Sequence, residues 1–392
     1  MQQTNSSLVK MTLLLVSTLT VMAGATIAPS LPAMKQHFSS VPNADYWVRL
    51  VLTAPALFIA VAAPLVGATI DKTGRKPVLI IALFVYGLAG SSGLWLNAIG
   101  FILFGRALLG LSVAGVMVTA TALIADYYTG KARGQFLGIQ AAFMALGGVV
   151  FLTLGGFLAD INWRMPFFIY LIALVLVPCV VLLLPEPNRT KGAGTNVADE
   201  PTSLATGLVV LTYAIALISQ IVFYLIPVQL PFYLQQLLQA SSSQSGLAIA
   251  LATGCSAVSS LLYQRVKARL SFISIYGIAF LNMALGYELI SFGAGYAVIL
   301  LGLAIAGLGL GLLMPNMNFC LTSIAPGVAR GRVLGGLTTS FFLGQFLSPL
   351  VSQPLTNFVG IAGTYRTAGI VMGIMGIAAL VFLMRAKAIA KS

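Results

Sequence analysis

Charge is what this chain has least of: 7% of its 392 residues are charged, against about one quarter in a soluble globular domain. That shortage excludes a water-soluble fold. Acids are scarcer still, with 8 Asp and Glu to 21 Lys and Arg, and there is one histidine, His37. An intramembrane enzyme needs a nucleophile with its base or a cluster of metal ligands. One histidine without paired intramembrane carboxylates provides neither, so no catalytic residues, metal site or cofactor are expected. The three cysteines, Cys179, Cys255 and Cys320, fall singly in apolar runs without CxxC spacing, which argues against a disulfide framework or a zinc centre. A net charge of +13 would suit nucleic acid only if the bases gathered on one folded face. They stand singly between hydrophobic runs, so no nucleic-acid partner is expected. A ring of selectivity groups, which a gated pore requires, is missing as well.

What is present is hydrophobic: 59% of residues, at a mean hydropathy of +1.00. A bilayer core of roughly 30 Å takes about 20 apolar residues per helix. Stretches of that length occur at 11–33, 48–70, 77–96, 99–124, 135–159, 166–184, 205–231, 245–263, 272–291, 296–322, 334–354 and 366–384. The pattern predicts an all-α membrane protein of twelve spans with short loops and no soluble domain. The apolar run from Met11 to Met34 is too long for a signal-peptide core and is read as a retained first span. Short cytoplasmic loops keep positive charge during insertion. Lys72, Arg75, Lys76, Lys131, Arg133, Arg189, Lys191, Arg265, Lys267, Arg269, Arg330 and Arg332 fall in even-numbered loops, and Lys10, Arg385, Lys387 and Lys391 in the tails. The opposite loops hold only Lys35, Arg49, Arg164 and Arg366. Both termini are therefore expected in the cytoplasm, after an even number of crossings.

The chain also repeats itself. Thr129-Gly-Lys-Ala-Arg-Gly-Gln-Phe-Leu-Gly138 resembles Pro326-Gly-Val-Ala-Arg-Gly-Arg-Val-Leu-Gly335, and Leu31-Pro32 with Gln36 is echoed by Leu230-Pro231 with Gln235. Glu186 to Ser203 has the composition of a flexible linker. The predicted division is a six-helix bundle over 1–187, a cytoplasmic linker over 188–204 and a second six-helix bundle over 205–392. Parallel halves of this kind belong to transporters with a midplane site that opens to one side at a time.

Between spans two and three stands Gly67-Ala-Thr-Ile-Asp71-Lys72-Thr-Gly74-Arg75-Lys76, which resembles the signature loop of the major facilitator superfamily, G-x-x-x-D-(R/K)-x-G-R-(R/K). The resemblance implies the major facilitator fold, two pseudo-symmetric six-helix bundles, and a cytoplasmic gate in which Arg75 or a neighbouring base pairs with an acid ending span four. Asp126 is that acid here. Gly67 can admit a close neighbour and Gly74 a turn closed to other residues; taken alone, the bases can also be topology determinants. The matching loop of the second half, Ser260 to Arg269, keeps bases but loses both glycines and the acid.

Arg106, in Arg106-Ala-Leu-Leu-Gly110, resembles the family's span-four R-x-x-x-G, where the arginine is associated with proton coupling or substrate contact. A guanidinium at membrane depth costs several kcal/mol, and snorkelling to the interface is the alternative. Gly138, Gly147, Gly155 and Gly156 are spaced like the family's antiporter motif, although Phe151-Leu152 replaces its Gly-Pro; close helix packing also accounts for such glycines. Gln140, Phe143, Gln220, Tyr224, Gln229, Asn316, Asn318, Phe342 and Gln345 form an aromatic, neutral set of candidate cavity residues, suited to apolar or weakly cationic solutes. Broken spans at Pro227, Pro231 and Pro315 bring such groups to membrane depth. Glu288 is the candidate protonation site by depth.

The drug-efflux branch is the nearest resemblance, carried by Ala28-Pro29, Leu31-Pro32 and the span-five glycines. It implies an exporter of drugs or metabolites in the cell inner membrane, a monomer with the proton as coupling ion and no cofactor. A proton-coupled importer of a sugar or organic acid is the alternative.

Overall fold

The structure is a computed structural model that describes residues 6–187 and 206–389, with side chains for all of these except 327, 328 and 385–389. The predicted linker, with Arg189 and Lys191, lies outside the described residues, as do Lys391 and the side chains of Arg385 and Lys387. Contacts divide the chain into two compact units, Met1–Ala198 and Asp199–Ser392. Among the described residues every regular element is a helix.

The first span of the first unit is interrupted. Helix α1 (Ser7–Ala25) gives way to a 3-10 turn, Ala28–Ser30, before α2 (Leu31–His37) completes the crossing. Pro29 and Pro32 sit in the opening residues of the turn and of α2, positions where a missing N–H costs least. The rest of the unit is α3 (Ala44–Thr73), α4 (Arg75–Gly90) with a 3-10 extension to Leu94, α5 (Ile99–Tyr127), α6 (Gly130–Ile161) and α7 (Ile172–Leu183), the last entered through a 3-10 segment, Met165–Leu171.

The second unit repeats the plan. Helices α8 (Thr206–Phe223) and α9 (Leu225–Leu238) form one span broken at Tyr224, followed by α10 (Ser242–Lys267), α11 (Phe272–Phe292), α12 (Tyr296–Ile324) and α13 (Gly327–Ile389). Entry to α10 is fixed by Ser241 and Gln244, each bonding the other's backbone N–H; this satisfies donors that a helix leaves open at its start. The α13 element departs from expectation, since spans eleven and twelve were predicted at 334–354 and 366–384. They meet at Gly360, whose φ of 75° and ψ of 174° break an otherwise continuous helix. The apolar stretch Ala329–Met384 has 56 residues, or ~84 Å at 1.5 Å per residue, far more than one bilayer crossing. Among the described residues the eleven apolar helical stretches are therefore twelve spans.

Backbone carbonyls at and beside the two span breaks accept from phenols, in an interior where lipid offers no water. In the first unit Tyr86 Oη donates to Leu19 O at 2.7 Å and Tyr170 Oη to Ala23 O at 3.3 Å. In the second, Tyr287 Oη donates to Val222 O at 2.8 Å and Tyr365 Oη to Leu225 O at 3.0 Å. All four tyrosines are fully buried and come from the third and sixth spans of their own unit.

Packing repeats with the sequence. A Cβ on Gly110 of α5 would strike the Pro55 carbonyl of α3, and one on Gly307 of α12 the Ala252 carbonyl of α10. The spacing is 197 in both members (307 − 110 and 252 − 55), the same as between Arg133 and Arg330 in the repeated loop. Gly307→Val should lower stability by about 1–3 kcal/mol, read as an earlier thermal unfolding of the purified protein. An unchanged midpoint would show that α12 can shift at no cost.

Candidate functional site

The loop between α3 and α4 shrinks to Gly74, with φ 104° and ψ 165°, a conformation that admits glycine and strains any other residue. Arg75 thus opens α4 while facing back over the end of α3. Its Nε lies 3.0 Å from Asp126 Oδ2 at the end of α5, its Nη2 3.6 Å from Asp71 Oδ1, and its Nη1 donates to Ile70 O at 3.2 Å. A fourth span joins through Glu186, just beyond α7: its two carboxylate oxygens accept the backbone N–H groups of Arg75 and Lys76, both at 2.7 Å. A carboxylate there meets both the open donors and the positive end of the helix dipole. Lys76 Nζ donates to Val181 O at 2.7 Å, and Tyr127 Oη donates to Pro185 O.

Sequence reasoning singled out Asp71, Gly74, Arg75, Lys76 and Asp126 but not Glu186. Gly67 differs from expectation: no heavy atom among the described residues lies within 4 Å of where its Cβ would be, because that face of α3 is largely open. Asp71 is 70% exposed against 31% for Asp126, and exposed pairs are worth about 0–1 kcal/mol. Asp126→Asn should therefore disturb turnover and side-specific accessibility more than Asp71→Asn. Equal effects in single-cysteine labelling would place the weight on charge alone.

Arg106 is fully buried, so snorkelling is excluded. Its Nε donates to Val51 O at 2.9 Å, and its Nη2 donates to Tyr170 Oη at 2.9 Å and Ala23 O at 3.3 Å. The guanidinium carbon lies 4.9 Å from the Tyr170 ring centroid and 5.6 Å from that of Phe167. The cation is held by carbonyls, a phenol and ring faces, and its Nη1 has no hydrogen-bond partner among the described residues. Tyr170 and Phe167 carried no sequence signal for this role.

The α6 glycines divide. Gly147 would place a Cβ 3.0 Å from Thr18 Cβ, and Gly155 would place one on the Thr26 carbonyl, so both seat α6 on the first span, Gly155 at its break. Gly156 is buried, while a Cβ on Gly138 would meet nothing within 4 Å. Two residues past Gly138, Gln140 Nε2 donates to Ser17 Oγ at 2.9 Å; Phe143 is half-buried.

In the second unit an amide ladder links spans seven and eleven. Gln345 Nε2 donates to Gln220 Oε1 at 3.3 Å, Gln229 Nε2 donates to Ser352 Oγ at 3.2 Å and Gln353 Oε1 at 3.4 Å, and Ser348 Oγ donates to Ile221 O at 2.8 Å. Tyr224 is buried at the break and Phe342 half-buried beside Phe341. Asn316 is no cavity wall in this structure. It is fully buried, accepts from Tyr263 Oη at 3.1 Å and donates to Phe272 O at 3.1 Å, which makes it a clamp among α10, α11 and α12. Asn318 donates to Met314 O of its own helix at 3.0 Å. Among the expected non-cytoplasmic acids, Asp45 pairs with Lys35 at 2.7 Å and Arg49 at 3.0 Å. Glu288 has no ion pair among the described residues, and its Oε1 lies 3.0 Å from where a Gly369 Cβ would sit. Exposed His37 packs on Phe38 and Trp163.

The profile of the Major Facilitator Superfamily matches residues 13–224 and 212–391. The chain belongs to the Major Facilitator Superfamily. Multidrug resistance protein 1 of Bacillus subtilis (strain 168) is 33% identical over 135 residues, which are 33% of this chain and 33% of that protein. Tetracycline resistance protein, class B, of Escherichia coli is 30% identical over 197 residues, 48% of each. The chain thus spans about a third to a half of the length of these curated relatives. The crystal structure of a D-xylose-proton symporter matches with a TM-score of 0.80 at 17% identity, covering 95% of this chain and 96% of that one. As a member of the superfamily, the chain is a multi-pass membrane protein.

Proposed function

We propose that this major facilitator protein exports small, mostly apolar or weakly cationic solutes, drugs or metabolites, by alternating access coupled to proton antiport. What supports the substrate class is the amide ladder: Gln220 with Gln345, and Gln229 with Ser352 and Gln353, are buried neutral pairings in this structure, so a solute that reached them in a more open state would meet amides and a hydroxyl. The efflux relatives support the export direction. Arg106, with one buried nitrogen unpartnered, is the residue that would answer a solute or a water, and Glu288 the carboxyl that would take and release the proton. The Arg75, Asp71, Asp126 and Glu186 cluster would act as the cytoplasmic gate. The protein works as a monomer in the cell inner membrane with both termini in the cytoplasm, and needs no cofactor beyond the coupling proton.

A second reading, proton-coupled import of a sugar, draws on the same amides, which suit hydroxyl groups. Proteoliposomes with an imposed pH gradient and a panel of labelled solutes separate the two. Export by antiport requires solute to move against the proton flow. Co-movement of proton and solute would overturn it in favour of import, and gradient-independent flux would sink the coupling altogether.

A further inference from the structure

The gate of the first unit has a counterpart in the second that keeps its cations and lacks its anions. Gly307 and Gly311 of α12 sit against Ala252 and Ser256 of α10; the numbers rise together, so the two helices run parallel and end on one side of the bundle. At that end lie Arg265 and Lys267 in the last turn of α10, Arg269 just beyond it, and Arg330 and Arg332 after α12. Tyr263, Asn316 and the Phe272 carbonyl tie these ends together, and Phe272 packs on Phe319 with ring centroids 5.7 Å apart.

In the first unit Asp71, Asp126 and Glu186 answer the cations. In the second, Gln264 stands where Asp71 does in the loop pattern, and the repeat spacing of 197 carries Asp126 to Ser323 and Glu186 to Leu383. Ser323 Oγ donates to Cys320 O of its own helix at 2.7 Å. The acid described in this unit is Glu288, 16 residues beyond the start of α11, about 24 Å along the helix axis. Lys267 is engaged by the Phe272 ring at 4.0 Å and by Leu270 O. The side chains of Arg265, Arg269, Arg330 and Arg332 are exposed, with no ion pair or hydrogen bond among the described residues.

Just inside this cationic end the helix surfaces turn apolar and exposed: Val258 53%, Leu261 63% and Leu262 40% on α10, and Phe319 47% on α12. Guanidiniums at the rim with an apolar wall beneath match an amphiphile rather than a free anion, since the wall gives inorganic phosphate nothing to bury. We propose that a phospholipid with an anionic head group binds here, its phosphate and head-group charge taking the part that Asp126 and Glu186 play in the first unit. Guanidiniums pair with phosphate by short charge-assisted hydrogen bonds, and each base near an anionic surface adds to retention. The site rests on membership of a membrane family and is independent of substrate or direction of transport.

The test uses the full chain in nanodiscs of phosphatidylcholine alone or of phosphatidylcholine and phosphatidylglycerol at three to one, with retained lipid counted by native mass spectrometry and unfolding followed by heating. Phosphatidylglycerol should raise the unfolding midpoint and stay bound to the wild type. R265Q/R269Q should unfold as the wild type does in phosphatidylcholine, lose the phosphatidylglycerol shift, and retain the lipid roughly tenfold less. R330Q/R332Q should show the same loss from the other side of the site. The charge-matched first-unit variant K131Q/R133Q should keep the shift. Equal losses in K131Q/R133Q and R265Q/R269Q would reduce the effect to bulk attraction and overturn the site. So would an undiminished shift in R265Q/R269Q, or the same shift produced by inorganic phosphate in pure phosphatidylcholine.

Discussion

Arg106→Ala should reduce solute flux in proteoliposomes to that of empty vesicles, while the protein still inserts and elutes as a single species. The guanidinium joins three separate parts of the first unit: the Val51 carbonyl of α3, the Ala23 carbonyl at the break in the first span, and the Tyr170 hydroxyl. Truncation leaves the Val51 carbonyl without that donor, whereas Ala23 keeps the bond from Tyr170. A buried polar group left unsatisfied costs about 1–3 kcal/mol, which weakens the fold without preventing it. Arg106→Leu separates structure from function. The repeat spacing carries position 106 to Leu303, which is fully buried in the second unit, so leucine fills such a place in a working bundle. That variant should fold and not transport, and Arg106→Lys should lose most activity because one ammonium cannot reproduce a planar fork. Normal turnover in Arg106→Leu would remove the residue from the transport pathway.

Glu186→Ala should loosen the gate more than any change at Asp71. The carboxylate makes two 2.7 Å bonds to the first N–H groups of α4, and loss of such a cap costs about 0.5–2 kcal/mol. Ile70, 4% exposed and accepting from Arg75 through its carbonyl, reports on the opening. A cysteine at position 70 should react with an impermeant maleimide roughly 5 to 30 times faster in the Glu186→Ala background, the factor that one or two kcal/mol gives. Glu186→Gln, with one acceptor oxygen left, should fall between. Equal labelling in all three backgrounds would show that Glu186 closes nothing.

Why Asp126 was legible from sequence and Glu186 was not is a matter of where each constraint is written. Gly74 announces itself because only glycine holds that backbone conformation, and Asp126 lies at the end of a span beside a recognisable loop. Glu186 is 111 residues from Arg75 and begins a polar stretch that reads as linker, so no local pattern assigns it to α4. Arg106 was conspicuous through its cost in lipid, yet Tyr170, 64 residues away, is one of many aromatic residues in apolar runs. Of the breaks expected from proline, span seven has one, at Tyr224 ahead of Pro227, whereas Pro231 and Pro315 lie inside α9 and α12, which run on through them; nothing in the sequence marked the tyrosines that answer the breaks. Asn316 failed as a cavity residue for the converse reason: amide polarity at membrane depth serves a clamp between helices as well as a solute, and only its partners distinguish the two. Spans eleven and twelve were counted correctly by hydropathy, whereas their junction at Gly360 involves a single backbone conformation and no polar loop.

The interrupted first and seventh spans look like hinges, and the tyrosines make them braced joints. Bending the first span about its break would pull Leu19 and Ala23 from Tyr86 and Tyr170, stranding hydroxyls in a dry interior at about 1–3 kcal/mol apiece. The same holds for Val222 and Leu225 with Tyr287 and Tyr365. Each bundle is therefore stiffened where its backbone is weakest, and its first, third and sixth spans swing as one piece or stay still.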